Sequence, residues 1–101
     1  MKVSNIETLR EETMRALNEE FGLDLVPCEI EITGGNNKVK FDYALTNEFL
    51  RKTFSIVFTD DYLFFRYDGK TRSCIEYIDL RNKAQYYVRV AVIVNELLQG
   101  D

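Results

Sequence analysis

The chain lacks histidine altogether, has a single proline (Pro27) and two cysteines (Cys28 and Cys74), and carries no long hydrophobic run. Each shortage excludes something. Without histidine, the side chain that most often moves protons near neutral pH and most often ligates metals is missing. Two cysteines without a CxxC spacing do not make a zinc site. A nucleophilic thiolate needs a base or cation beside it, and Arg72 is a poor provider for Cys74. Cys28 shares an alternation with Ile30 and Ile32, as a structural thiol would. The longest aliphatic stretch, Val90 to Val94, falls far short of the roughly 20 residues that span a bilayer. The start, MKVSNIETLREE, has no continuous apolar segment of the kind a signal peptide needs. Free thiols and no export signal lead to the expectation of a cytoplasmic protein. One proline and no Ser/Gly/Pro-rich linker imply that the 101 residues form one α+β domain.

Phosphate loops are also missing. GGNNK does not end in Gly-Lys-Ser/Thr, and DGKT has no glycine at the required upstream spacing. Carboxylates are numerous, but no spacing singles out a catalytic or metal-binding pair. Asp60-Asp61 reads as turn chemistry, since aspartate hydrogen-bonds its own backbone there. The sequence therefore names no catalytic, cofactor-binding or metal-binding residue, and the expectation is a protein that is not an enzyme.

What is present is apolar and acidic. Hydrophobic residues make up 46% of the chain and charged residues 30%, the balance of a folded protein. Thirteen percent of the residues are aromatic, and each ring can bury roughly 150–250 Å². The net charge of −4 is concentrated early: residues 1–31 hold eight acids against Lys2, Arg10 and Arg15. An acidic chain gains no counterion-release attraction to phosphate backbones, which disfavours general nucleic-acid binding.

Periodicity predicts an N-terminal helix from about Asn5 to Phe21. Ser4 and Glu7 are spaced as a capping box, and Gly22 is placed for a left-handed C-terminal cap. Ile6, Leu9, Thr13, Leu17 and Phe21, with Met14 beside them, form its buried stripe. Two alternating segments follow, Cys28-Ile30-Ile32 and Val39-Phe41-Tyr43, separated by the turn cluster Gly34-Gly35-Asn36-Asn37. Both apolar sets are expected to point inward, leaving Glu29 and Glu31 opposite Lys38 and Lys40. Residues 44–53 read as irregular. Asp68-Gly69-Lys70 marks a tight turn before a strand around Ser73 to Ile78.

The C-terminal segment is rich in β-branched residues, yet Leu80, Ala84, Tyr87, Ala91, Val94 and Leu98 recur at helical steps. Val90, Ile93 and Leu97 widen that stripe. Asp79 and Gly100 are placed to cap a helix too long to be a strand. The predicted fold is α+β: an antiparallel meander of about five strands packed by an N-terminal and a C-terminal helix.

The segment TFSIVFTDDYLFFRY, residues 53–67, carries the functional expectation. A two-residue turn at Asp60-Asp61 sets Phe54, Ile56 and Phe58 against Tyr67, Phe65 and Leu63, a wholly apolar core face. The opposite face holds Ser55, Val57 and Thr59 against Arg66, Phe64 and Tyr62. Its surplus of apolar surface needs a cover: the C-terminal helix, a second copy, or another protein. Val57, Tyr62, Phe64 and Arg66 are the expected partner-binding residues there. The acidic helix face, with Glu11, Glu12 and Glu19, is a second candidate suited to a basic partner, although spacing also favours pairing Arg15 with Glu11 and Glu19.

These features describe a small acidic domain that acts by occupying a partner surface. Inhibitors and immunity proteins work this way, and phage or mobile-element anti-defence inhibitors such as anti-CRISPRs are an analogous type. The expected partner is another protein, basic where it meets the acidic helix, with a homodimer as one form. Two rivals are weighed against it. One is a carboxylate- or metal-dependent enzyme. The other is a single-strand nucleic-acid module that stacks bases on Tyr62 and Phe64 beside Arg66.

Overall fold

The computed structural model of the chain describes residues 5–77 and 81–100. Its elements run α1 (Ile6–Phe21), β1 (Val26–Gly34), β2 (Asn37–Thr46), β3 (Phe54–Phe58), β4 (Tyr62–Tyr67), β5 (Lys70–Glu76) and α2 (Lys83–Gln99). The five strands form one antiparallel sheet in sequential order. This is the expected helix–meander–helix fold. Among the described residues no helix is long and apolar enough to cross a membrane.

Local chemistry sets the ends of the helices. Asn5 caps α1 by accepting a hydrogen bond from the Thr8 backbone N–H at 3.0 Å, one residue after the expected cap Ser4, which lies outside the described residues. Gly22 ends α1 in the left-handed region at φ 62°, its N–H donating to the Asn18 carbonyl. Asn82 caps α2 through the Gln85 N–H. The expected cap Asp79, with Leu80 of the expected stripe and Ile78 of the expected strand, lies outside the described residues. The Asp68-Gly69 turn has positive φ at both positions, 54° and 78°, the combination that joins twisted antiparallel strands most readily.

One layer of core lies between the helices and the sheet. Leu9, Thr13 and Leu17 of α1 and Tyr86, Val90, Ala91 and Val94 of α2 are buried there. They meet Leu45, Phe54, Ile56, Phe58, Leu63, Phe65, Tyr67 and Ile75 of the sheet. The expected hairpin pairs Phe54 with Tyr67, Ile56 with Phe65 and Phe58 with Leu63, as read from the sequence. Inside this layer the Thr13 and Tyr86 hydroxyls share a hydrogen bond of 2.9 Å. The α2 stripe is rotated from the expected one: Tyr86 is central and Ala84 is exposed in the first turn. Phe21, expected in the α1 stripe, is exposed at the end of the helix.

The link from α1 into β1 is held by two side-chain amides, that of Asn47 donating to the Leu23 carbonyl at 2.8 Å. The Asn18 side chain accepts from the Leu25 N–H at 2.7 Å and donates to the Leu25 carbonyl at 2.9 Å, completing both backbone groups of a buried residue. Asn18→Ala leaves them without those partners, and chemical denaturation should show a loss of about 1–3 kcal/mol.

Candidate partner-binding surface

The second face of the sheet is covered by the protein's own β1–β2 hairpin. β2 pairs with β3 only at Ala44↔Val57 and Leu45↔Ile56. Beyond those pairs a bulge interrupts the β1–β2 ladder, where Cys28↔Ala44 gives way to Ile30↔Phe41. The extra residue on β2 changes which face each side chain takes. Tyr43 therefore packs with the main core, whereas Phe41 joins Ala44 on the opposite side. The bulge bends the distal hairpin across the sheet, and Cys28, Ile30, Ile32 and Phe41 pack on Ala44, Val57 and Phe64. Phe41 meets Phe64 edge to face, with ring centroids 5.6 Å apart.

This corrects two expectations. The hairpin's apolar residues were expected to share the helix-side core, but only Tyr43 does. Val57 (0% exposed) and Phe64 (7%) were expected to meet a partner, but both are buried by the subunit itself, Phe64 keeping only a small exposed part. Of the cover considered, neither α2 nor a second chain is needed for these two residues. The hairpin's polar side takes the expected form, with Lys40 3.2 Å from Glu29 and Lys38 3.7 Å from Glu31. Those pairs are solvent-exposed and stabilise little.

The cover is incomplete at its rim. Val39, opposite Ile32 in the hairpin, is 52% exposed, and Tyr62, beside Phe64 on β4, is 41% exposed. The Tyr62 and Phe64 ring centroids are 6.0 Å apart. Ile32, Tyr62, Phe64, Arg66, Thr71 and Cys74 line an open groove of about 430 Å³. Arg66 is fixed at its wall, donating to the Gly69 carbonyl at 2.7 Å and the Thr71 hydroxyl at 3.2 Å. Of Tyr62, Phe64 and Arg66, the expected base-stacking set, only Tyr62 is exposed, while Phe64 is buried and Arg66 half-buried. The site thus keeps Tyr62 and Arg66 from the sequence reading and gains Val39 and Ile32, which that reading had turned inward.

The acidic helix lies on the other side of the sheet. Glu11 and Glu19 are exposed, and among the described residues no ion pair joins either to Arg15. Glu12 instead accepts from Lys83 of α2 at 3.0 Å, a contact that ties the two helices together. That carboxylate raises the Lys83 pKa, mainly by hydrogen bonding to it. α1 and the groove thus flank opposite faces of the sheet.

Other chemistry is sparse. Among the described residues no three His, Cys, Asp or Glu side chains are grouped to hold a metal ion. Burial pushes the Cys28 thiol up, with nearby Arg10 opposing the shift, so its thiolate is disfavoured. Arg10 sits over the Tyr43 ring, 5.4 Å from its centroid, and donates to the Asp42 carbonyl. The loop before β3 displays Phe49, 82% exposed, on an Asn47 turn in which the Phe49 N–H donates to the Asn47 side chain. No family model, curated protein or solved structure matches the chain.

Proposed function

We propose that this is a non-enzymatic protein-binding domain that works by occupying a partner surface through the rim of its covered sheet face. One observation carries the reading: Val39 and Tyr62 stay exposed beside Ile32, Phe41 and Phe64, which are packed against one another. A rigid base holding two protruding apolar side chains is the form of an interface anchor. Tyrosine is prominent among residues whose loss weakens binding most. Arg66, already fixed by two hydrogen bonds, adds a donor-rich wall that loses little further freedom on docking.

The acidic α1 face supports a narrower form of the same reading, an inhibitor or immunity-type protein whose partner is basic. Glu11 and Glu19 are free of ion pairs among the described residues and are available to steer a basic partner, whereas Glu12 is engaged with Lys83.

The test separates binding from folding. Val39→Ser with Tyr62→Ser should leave the thermal midpoint nearly unchanged, since exposed substitutions usually stay within about 0.5 kcal/mol each. The same pair should reduce partner capture from the native host by roughly tenfold or more. Capture that is undiminished in the double variant would place the interface elsewhere.

A further inference from the structure

The groove at the hairpin rim has opposite charges toward its two ends. On β4, Tyr62, Phe64 and Arg66 alternate onto the groove side. Their partners on β5 are Glu76, Cys74 and Thr71 in that order, and residues directly opposite each other share a face of the sheet. Glu76 therefore lies beside the exposed Tyr62, and Arg66 is about 13 Å away along β4 at the rise of a strand. Between them the lining is apolar or small: Phe64, Cys74 and Ile32 of the hairpin.

Neither charge is used up. Arg66 donates to two neutral oxygens, the Gly69 carbonyl and the Thr71 hydroxyl, and a guanidinium has further N–H donors beyond those. Glu31, which shares a second cavity with Arg66, sits 3.7 Å from Lys38 instead. Among the described residues no ion pair engages Arg66 or Glu76.

We propose that the groove takes an extended segment of a partner protein that carries a carboxylate, an apolar side chain and a cation at alternate positions. The inference rests on the reading that the rim binds a protein, and it adds the chemistry of the bound segment. Charge complementarity selects that chemistry. The carboxylate meets Arg66, the apolar side chain lies against Phe64 and Ile32, and the cation meets Glu76 and the Tyr62 ring, whose face also attracts cations. Alternate side chains of an extended chain share one face, so an acid and a cation four residues apart match the spacing along β4. A nucleic-acid strand fits poorly, because its phosphates would meet Glu76 at one end.

Two blocked peptides, Asp-Ser-Leu-Ser-Lys and its reverse Lys-Ser-Leu-Ser-Asp, cover both chain directions. Titrated into isotope-labelled protein, one of them should shift the Tyr62, Phe64 and Cys74 signals saturably. Glu76→Lys should weaken that peptide by about fivefold, and replacing the peptide's lysine by aspartate should restore binding. Arg66→Glu should weaken it similarly, with lysine in place of the peptide's aspartate as the remedy. Because Glu76 is exposed, its reversal stays informative where Arg66→Glu disturbs the Gly69 turn. The proposal is overturned if neither peptide shifts those signals, if the reversals have no effect, or if the matched peptides fail to repair the losses. Displacement of the peptide by oligothymidine overturns it too, as do groove signals that shift with protein concentration alone, which would put a second copy there. If partner capture still depends on Val39 and Tyr62 in any of these cases, only this inference falls and the rim reading stands.

Discussion

Truncating Phe64 to alanine should lower the unfolding free energy by roughly 3–5 kcal/mol, a large part of what a domain of this size possesses. The ring is buried on the side of the sheet away from both helices, where it meets Phe41 edge to face and packs with Val57, Ala44 and the hairpin isoleucines. Removing it takes apolar area out of burial and opens a space that the hairpin, held by its own ladder, closes only in part. The bend across the sheet depends on this contact. The loss should therefore spread to Ile30 and Ile32, seen as faster amide exchange across β1 and β2 than across α1. Tyr62→Ala, one position away on the same face and two residues earlier in the chain, should cost about 1 kcal/mol or less because that residue is exposed at the rim whereas Phe64 is buried. Denaturant midpoints for the two variants check the contrast. Equal, small losses would mean that Phe64 is not packed beneath the hairpin.

Raising the pH above about 10 should unfold the protein steeply. Tyr77 and Tyr86 are both buried in the helix-side core, and burial raises both phenol pKa values above the ordinary tyrosine value. For Tyr77 the proximity of Tyr86 adds to the shift, while the Thr13 hydrogen bond opposes it for Tyr86. The sign follows from proton binding. Between the ordinary value near 10 and the raised folded values, the unfolded chain loses these protons and the native chain keeps them. The unfolded state then binds fewer protons, so stability falls as pH rises. The slope is about 1.4 kcal/mol per pH unit for each tyrosine, and the contribution is fully present below pH 10. Tyr86→Phe should remove one such slope while leaving the Thr13 hydroxyl without its partner, a separate cost of about 1–3 kcal/mol. Denaturation series between neutral pH and about pH 11.5, read with both chains, separate the two effects. A flat profile above pH 10 would show that water reaches both phenols.

The sequence was most informative where a pattern is local. Alternation around Asp60-Asp61 gave the β3–β4 register, Asp68-Gly69 gave its turn, and three- and four-residue steps gave both helices. The hairpin was misread because a bulge is a single-residue event. Cys28-Ile30-Ile32 and Val39-Phe41-Tyr43 each alternate without interruption, and the face changes between Phe41 and Ala44. One signal was present: Tyr43-Ala44-Leu45 breaks the alternation, and all three belong to β2 although residues 44–53 read as irregular. That misreading also produced the errors at the candidate site. With the hairpin assigned to the helix-side core, Val57 and Phe64 had no cover and looked available to a partner, while Val39 looked buried. Periodicity assigns residues to faces, but how far a hairpin bends beyond its last sheet neighbour is a tertiary matter.

The central claim is that the hairpin of the same chain shields the second sheet face. An isotope-filtered nuclear Overhauser experiment on mixed labelled and unlabelled protein tests it most directly. Cross-peaks between the Ile30 and Ile32 methyls and the Phe64 ring should arise within one chain and persist on dilution. Cross-peaks found only between differently labelled chains, or none at all, would contradict it.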